Sequence, residues 1–286
     1  MCPRFFIIFA VPNKIFMDLF SCLSQFVFCS FSSGSSGNCY YVGTTNEGVL
    51  IDMGITMTKL ETSLKRIGLT LSNIKTLFVT HDHIDHVKGL EVLLKNTDIP
   101  VYASPECLAS LRAMNGDFSN RFVEMLVGQA VVVEQLEIIS FPVKHDAAGN
   151  VGYYIGYQDK SLAIVTDCGL LDETVKSYLS RAKSIVIEAN YDKKMLLKGS
   201  YPQPLKQRIM GEGGHLSNFE AIDFVVDNYN KPYDNVMFCH LSSNNNQPEL
   251  LMRQFHYSLR QHRIPLNHNV TVFPLPRTKQ SLVVYL

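Results

Sequence analysis

The sequence predicts an α/β sandwich in a single domain, with two central sheets flanked by helices, and three observations predict it. Short apolar and β-branched runs come first and then alternate with helical patterns, a rhythm that repeats in two halves. Polar residues able to bind a metal recur where the predicted strands end. No low-complexity linker or short repeat divides the middle of the chain, which at 286 residues is long enough for one large domain or two small ones.

The elements follow in order. Residues 1–24 are expected to be an extension ahead of the domain proper, which spans 25–286. Phe5 to Val11 is an apolar run behind Arg4, but Pro12, Asn13 and Lys14 interrupt it and no small-x-small cleavage site follows, which argues against export. Gln25 to Phe31 reads as a strand running into the tight loop S-S-G-S-S-G-N, Ser32 to Asn38. Cys39 to Val42 and Val49 to Asp52 read as strands, and Leu60, Leu64 and Ile67 as one helix face stopped by Gly68. Lys75 to Thr80 is a buried strand and Val87 to Asn96 a helix. Ser104-Pro105 opens another helix, with Gly116 as its stop. Glu137 to Val143 is a strand leading to His145. Val151 to Tyr157 and Ser161 to Thr166 form a hairpin whose second strand ends at Asp167. Ser184 to Ile187 is a strand ending at Glu188, and Ser217 with Glu220 is a capping box. Asn235 to Cys239 is a strand before His240, Pro248 to His262 is helical, and Val270 to Phe273 and Leu282 to Leu286 close the chain.

Composition narrows the function classes. Hydrophobic residues make up 46%, enough for a substantial core, and 26 basic residues balance 26 acidic ones. A zero net charge excludes a broadly basic nucleic-acid coat but not a local basic groove. The seven cysteines are scattered and lack C-x-x-C spacing, so neither a disulfide framework nor a thiolate zinc site is indicated. A reducing cytoplasm is expected. No apolar run reaches the roughly 20 residues that span a bilayer, so no membrane is expected as partner.

The densest signal is T-H-D-H-I-D-H, Thr80 to His86, at the junction of a strand and a helix. His81 and His83, at i and i+2, project to the same side of extended chain. Asp85 and His86 follow in the turn, aimed at a second point nearby. One such segment can feed two metal ions at once, as a two-metal hydrolase needs. The alternative, a polar loop whose histidines do nothing, does not account for the spacing. His256, His262 and His268 are read as surface residues.

His-x-His-x-Asp-His after a buried strand resembles the signature of the metallo-β-lactamase superfamily. The resemblance implies an αββα four-layer sandwich and two divalent metal ions. One takes His81, His83 and His145, the second takes Asp85, His86 and His240, and Asp167 bridges both. Imidazole and carboxylate ligation suits Zn²⁺ and tolerates Mn²⁺, while histidine at position 83, not glutamate, disfavours the di-iron oxidoreductase branch. Asp52 is either a turn residue or the early Asp that supports the metal loop. Two cations about 3.5–4 Å apart turn a bridging water into hydroxide at neutral pH, and Asp85 counts among the catalytic residues as well as the ligands. Phosphodiester cleavage also needs a proton for the leaving oxygen. His215 is placed like the non-ligand histidine of the tRNase Z group that supplies it, and Glu188 like the carboxylate that orients that histidine. Otherwise His215 starts a helix and Glu188 is a structural ion-pair partner.

Four motifs narrow the branch: S-S-G-S-S-G-N at Ser32 to Asn38, E-A-N-Y-D at Glu188 to Asp192, G-H-L-S-N at Gly214 to Asn218 and H-L-S-S-N-N at His240 to Asn245. In this order they resemble the YycJ (WalJ) group of bacteria over about residues 25 to 286. That resemblance implies a two-metal phosphodiesterase, a 5′→3′ exonuclease on double-stranded DNA. The N-terminal extension has no counterpart in the group. The interval between Asp167 and His215 is too short for the β-CASP insertion of the RNase J group, and the long exosite arm of tRNase Z is not evident. Lys193, Lys194, Lys198, Lys206 and Arg208, with Tyr191 and Tyr201 interleaved, are either a solvated helical face or a groove for phosphates. Ser35, Ser36, Asn38, Asn244 and Asn245 are candidate neutral donors to phosphate. The nuclease reading stands beside two others: a hydrolase of a small ester, thioester or lactone, and a non-catalytic regulator that keeps the fold.

Overall fold

Among the described residues, fourteen strands in two sheets carry the site. The computed structural model describes residues 25–231, 233–266 and 269–286; the expected extension, residues 1–24, and His268 lie outside the described residues. The first half of the chain supplies β1 (Phe26–Ser32), β2 (Cys39–Thr44), β3 (Gly48–Ile51), β4 (Ile74–Phe78), β5 (Val101–Ala103) and β6 (Phe122–Glu124). The second supplies β7 (Ala130–Val133), β8 (Leu136–Pro142), β9 (Val151–Tyr157), β10 (Lys160–Val165), β11 (Ser184–Glu188), β12 (Asn235–Cys239), β13 (Thr271–Pro274) and β14 (Val284–Tyr285). One sheet runs β14-β1-β2-β3-β4-β5-β6 and the other β13-β12-β11-β10-β9-β8-β7. The C-terminal strand β14 crosses to pair antiparallel with β1, which ties the two halves together.

Helices cover the outer faces: α1 (Met57–Arg66), α2 (Ile84–Val87), α3 (Leu90–Asn96) and α4 (Pro105–Asn115) on the first sheet, then α5 (Glu173–Arg181), α6 (Lys193–Lys198), α7 (Gln203–Met210), α8 (Asn218–Asp227) and α9 (Pro248–Gln261) with the second. Three apolar clusters fill the gaps. Phe28, Tyr40, Phe78, Tyr153, Ile164 and Met237 pack between the sheets. Leu60, Leu64, Leu93 and Leu108 seal helices onto the first sheet, and Val175, Leu179, Phe224 and Phe255 seal them onto the second. These are the four layers αββα. Each such leucine is fully or nearly fully buried, so truncating one to alanine costs about 2–5 kcal/mol.

Local chemistry places the boundaries. The Thr56 hydroxyl accepts from Lys59 N to cap α1, and Gly68, at φ 78°, takes the left-handed turn that stops it. Ser217 and Glu220 form the reciprocal capping box at the start of α8. The helix expected over Val87 to Asn96 is instead split at Gly89, whose N–H reaches Met53 O at 2.9 Å. A Cβ at Gly89 would lie 2.0 Å from Ile55 O, so only glycine allows this approach. Asp172, accepting from Val175 N, caps α5, a helix the sequence reading did not place. Because β3 to β6 and β10 to β13 are parallel within their sheets, their C-terminal ends collect at one edge of the sandwich. Among the described residues no helix is long and apolar enough to cross a membrane, and Cys29, Cys39, Cys107, Cys168 and Cys239 are free and buried.

Candidate metal centre

The strand ends at that edge carry the candidate residues: Asp52 after β3, His81 to His86 after β4, His145 after β8, Asp167 after β10, Glu188 at the end of β11 and His240 after β12. Three of them, Asp52, Asp167 and His240, have left-handed backbone, with φ of 62°, 46° and 54°. Such conformations are costly outside glycine, though Asp and His tolerate them better than most. Here they swing each side chain off its strand into one cluster.

His81, His83 and His145 bring one donor atom each within 4.8 Å of one another, and so do Asp85, His86 and His240. Asp167 stands between the two sets. Its Oδ2 is 3.0 Å from His86 Nε2, and its Oδ1 is 3.3 Å from His240 Nδ1 and 3.9 Å from His145 Nε2. Asp82, the intervening acid of the motif, turns the other way and accepts from Ser110 Oγ.

Hydrogen bonds fix which ring nitrogen faces the cluster. His86 Nδ1 donates to Asp52 Oδ2 at 2.7 Å, and His145 Nδ1 donates to Gly214 O at 2.8 Å. Thr80 Oγ1 donates to Asp52 Oδ2 and accepts from His81 Nδ1 at 3.0 Å. His240 Nδ1 donates to Glu188 Oε1 at 2.9 Å. In each of these rings Nδ1 is engaged by its partner and Nε2 is the nitrogen turned toward the centre, an arrangement typical of metal-binding histidines. His83 differs, presenting Nδ1 at 3.3 Å from His145 Nε2.

The donor set fits divalent cations. His81 Nε2, His240 Nε2 and Asp167 Oδ2 are buried with no hydrogen-bond partner, apart from the close His86 Nε2, which donates to Asp167 only when that ring carries two protons. Buried lone pairs facing one another are costly unless a cation or a proton lies among them. Protonation directions agree. Burial works to lower the pKa of His86, yet Asp52 and Asp167 push it up to about 10. Burial likewise opposes and Asp167, Asp85 and Glu188 outweigh it at His240, which is raised well above 6.5. Burial would raise Asp167, but His240 and His86 hold its carboxyl well below the usual range. His81 and His145 are lowered, mainly by burial.

Glu188 lies beneath the cluster, fully buried. Its Oε1 accepts from both His215 Nδ1 (2.8 Å) and His240 Nδ1, and its Oε2 accepts from Cys168 N and Leu216 N. Burial would raise its carboxyl, but His215 first and His240 after it hold it below the usual range. His215 sits with its ring centroid 5.1 Å from that of His145 and 5.4 Å from that of His240. Burial opposes, and Glu188 overcomes, so its pKa is raised. Asp167, Glu188, His215 and His240 also lie close enough to form a donor group of their own, but the two Nδ1 contacts to Glu188 have the geometry of hydrogen bonds.

Other sequence candidates separate. Ser35, Ser36 and Asn244 are exposed; Asn244 Nδ2 donates to Tyr201 Oη at 2.9 Å. Asn38 and Asn245 are buried. The Asn38 amide lies 2.9 Å from His86 Nε2 and its carbonyl oxygen accepts from Gly34 N, so it braces the metal loop from beneath. Asn245 O accepts from Asp192 N instead. Of the basic residues, Lys193, Lys194 and Lys198 are exposed, whereas Lys206 is buried, its Nζ donating to Leu197 O and Gly199 O at the end of α6. A buried lysine cannot line a phosphate groove, which removes Lys206 from that expectation. Sequence reasoning missed Thr80, whose only signal was its place before His81, and the Gly214 carbonyl, which has no side chain to signal it.

The fold and this site define an enzyme of the metal-dependent hydrolase class. The chain matches the Beta-lactamase superfamily domain over residues 48–232. It is 34% identical over 225 residues to exodeoxyribonuclease YycJ of Bacillus anthracis, covering 78% of this chain and 85% of that protein. It is 30% identical over 229 residues to exodeoxyribonuclease WalJ of Streptococcus pneumoniae, covering 79% and 85%. The crystal structure of the metallo-β-lactamase-fold protein YhfI from Bacillus subtilis superposes with a TM-score of 0.68 at 12% identity, over 90% of this chain and 99% of that one. The chain therefore belongs to the metallo-β-lactamase superfamily, in the group of the YycJ and WalJ exodeoxyribonucleases.

Proposed function

We propose that the protein is a two-metal phosphodiesterase that degrades nucleic acid, acting as a 5′→3′ exonuclease on DNA. The observation that carries the reading is the pairing of two donor sets about Asp167 with a further histidine, His215, that is held by a buried carboxylate and belongs to neither set. His81, His83, His145 and Asp167 would hold one divalent ion, and Asp85, His86, His240 and Asp167 a second, with Zn²⁺ favoured by the donors and Mn²⁺ tolerated. Bound there, such ions acidify water and offset charge on a phosphate.

The chain's own residues do the rest. Glu188 accepts a hydrogen bond from His215 Nδ1–H, which leaves Nε2 to carry the transferable proton, and the Glu188 carboxylate shifts the ring toward its protonated form against the effect of burial. Proton donation by His215 to the leaving oxygen completes the phosphodiester step. Asp52 and Thr80 orient His86 and His81, so that the ligand atoms need no reorganisation. Ser35, Ser36 and Asn244 offer exposed neutral donors to backbone phosphates, and Lys193, Lys194 and Lys198 positive charge. Residues 25–286 act as one hydrolase domain, and we take the cytoplasm as its compartment. The test is purified protein with Zn²⁺ or Mn²⁺ against end-labelled duplex DNA, RNA and a thioester. Stepwise shortening of the duplex from its 5′ end is expected. Turnover of the thioester without any nucleic-acid cleavage would overturn the reading.

A further inference from the structure

Of the basic residues between Glu188 and His215, Arg208 alone is tied to the donor cluster. Its Nε donates to Asp146 Oδ2, although the side chain is 60% exposed. The other oxygen of Asp146 lies 3.4 Å from His145 Nε2, the nitrogen left free by the Gly214 contact. The guanidinium thus stands one carboxylate's width outside the ring of ligand atoms. Its backbone setting is equally tied to the site. Arg208 O accepts from Gly211 N, Ile209 O accepts from His215 N, and Gly213 O accepts from Asp146 N. One short segment therefore positions Arg208, Asp146 and His215 together. Among the described residues the two Nη groups of Arg208 have no partner, so four N–H donors of a planar, largely exposed fork remain unpaired.

This pairing does two things for a polyanion. The arginine offsets a carboxylate that would repel phosphate at the mouth of the centre, and Asp146 in turn holds the guanidinium below the usual freedom of a surface arginine. The fork that remains matches two oxygens of one phosphate. The reacting phosphate has to lie against the ligand atoms themselves. A group held off from them by Asp146 reaches the next one along the strand.

We propose that Arg208 binds the backbone phosphate adjacent to the one that reacts, with Asp146 as its positioning residue; this rests on the nuclease reading above. The experiment compares wild type, Arg208→Ala and Arg208→Lys, each loaded with metal, on a DNA oligonucleotide and on the 4-nitrophenyl ester of a mononucleotide, which carries a single phosphate. For Arg208→Ala on DNA, KM should rise about tenfold or more with kcat little changed. The slope of log kcat/KM against log salt should shrink by about one, the share of one phosphate contact. The defect on the single-phosphate ester should be smaller by about the same tenfold. Arg208→Lys should keep the salt slope and lose part of the affinity, since charge stays and the fork goes. A wild type that cuts DNA alongside an Arg208→Ala variant with unchanged KM and salt slope overturns the proposal alone. Equal loss on both substrates with loss of metal also overturns it, making Arg208 a prop for His145. A wild type that neither binds nor cuts nucleic acid overturns the nuclease reading itself.

Discussion

Replacing Glu188 with glutamine should damage stability and catalysis together, because four donors converge on one acceptor-only group. Oε1 takes His215 Nδ1 and His240 Nδ1 at 2.8 and 2.9 Å, and Oε2 takes Cys168 N and Leu216 N at 2.9 and 3.0 Å. A glutamine amide offers one oxygen and one NH₂, so whichever way it turns, two donors meet a donor. Each hydrogen bond lost here is to a charged acceptor, worth about 1.5–3 kcal/mol, so the metal-free variant should lose roughly 3–6 kcal/mol. That is a large part of the stability of an ordinary domain. Urea unfolding of wild type and variant measures it. Catalysis supplies the second reading. Glu188 is what raises His215 against burial, so a proton donor in the variant is lost at lower pH. The high-pH limb of kcat should therefore move down, and Glu188→Asp, which keeps the charge, should move it less. A loss below about 1 kcal/mol with an unmoved limb would refute the argument that Glu188 anchors both histidines.

Three further outcomes follow from the same contacts. His215→Ala should keep its metal and lose about 10²–10⁴ in kcat on DNA, with a smaller loss on a nitrophenyl diester whose leaving group departs unprotonated; metal loss in this variant, measured by elemental analysis, would make His215 a ligand. A proton on His86, whose pKa is raised from 6.5 to about 10, stabilises the metal-free protein below pH 6.5, and that contribution is lost as pH rises through about 10. An ion must displace this proton, so affinity should rise about tenfold per pH unit for each proton released near neutrality, and calorimetry in buffers of different ionisation enthalpy counts those protons. Gly54→Ala would place a Cβ 1.7 Å from Asp85 O, forcing the metal loop off the Asn38 turn, and should cost at least about 1–3 kcal/mol in thermal unfolding and weaken metal binding.

Local patterns were legible and distant ones were not. The cluster from His81 to His86 is readable because its donors share six consecutive positions, and a sandwich of sheets flanked by helices is readable because strand and helix periods alternate, while the αββα layering came from the resemblance. Asp167 and His240 are different. Nothing local marks them beyond a strand end, and only the resemblance to known enzymes assigned them. Their left-handed backbone, like that of Asp52, is a tertiary demand that no propensity reveals. The second contact of Glu188, to His240 fifty-two positions away, is equally hidden. Lysine clusters mislead for a related reason: Lys206 looks like its exposed neighbours in sequence, yet the carbonyls at the end of α6 draw it inside. Gly89 reads as a tolerated helix glycine until the Met53 and Ile55 carbonyls are seen against it.

The account stands or falls on two cations sharing Asp167. Crystals of the purified protein, with diffraction collected at the absorption edge of the metal that elemental analysis detects, test it directly. Two anomalous peaks per chain are predicted, one among His81, His83, His145 and Asp167 and the other among Asp85, His86, His240 and Asp167, and both should vanish or weaken in Asp167→Ala. A single peak, peaks away from these side chains, or two peaks undiminished in Asp167→Ala would contradict it.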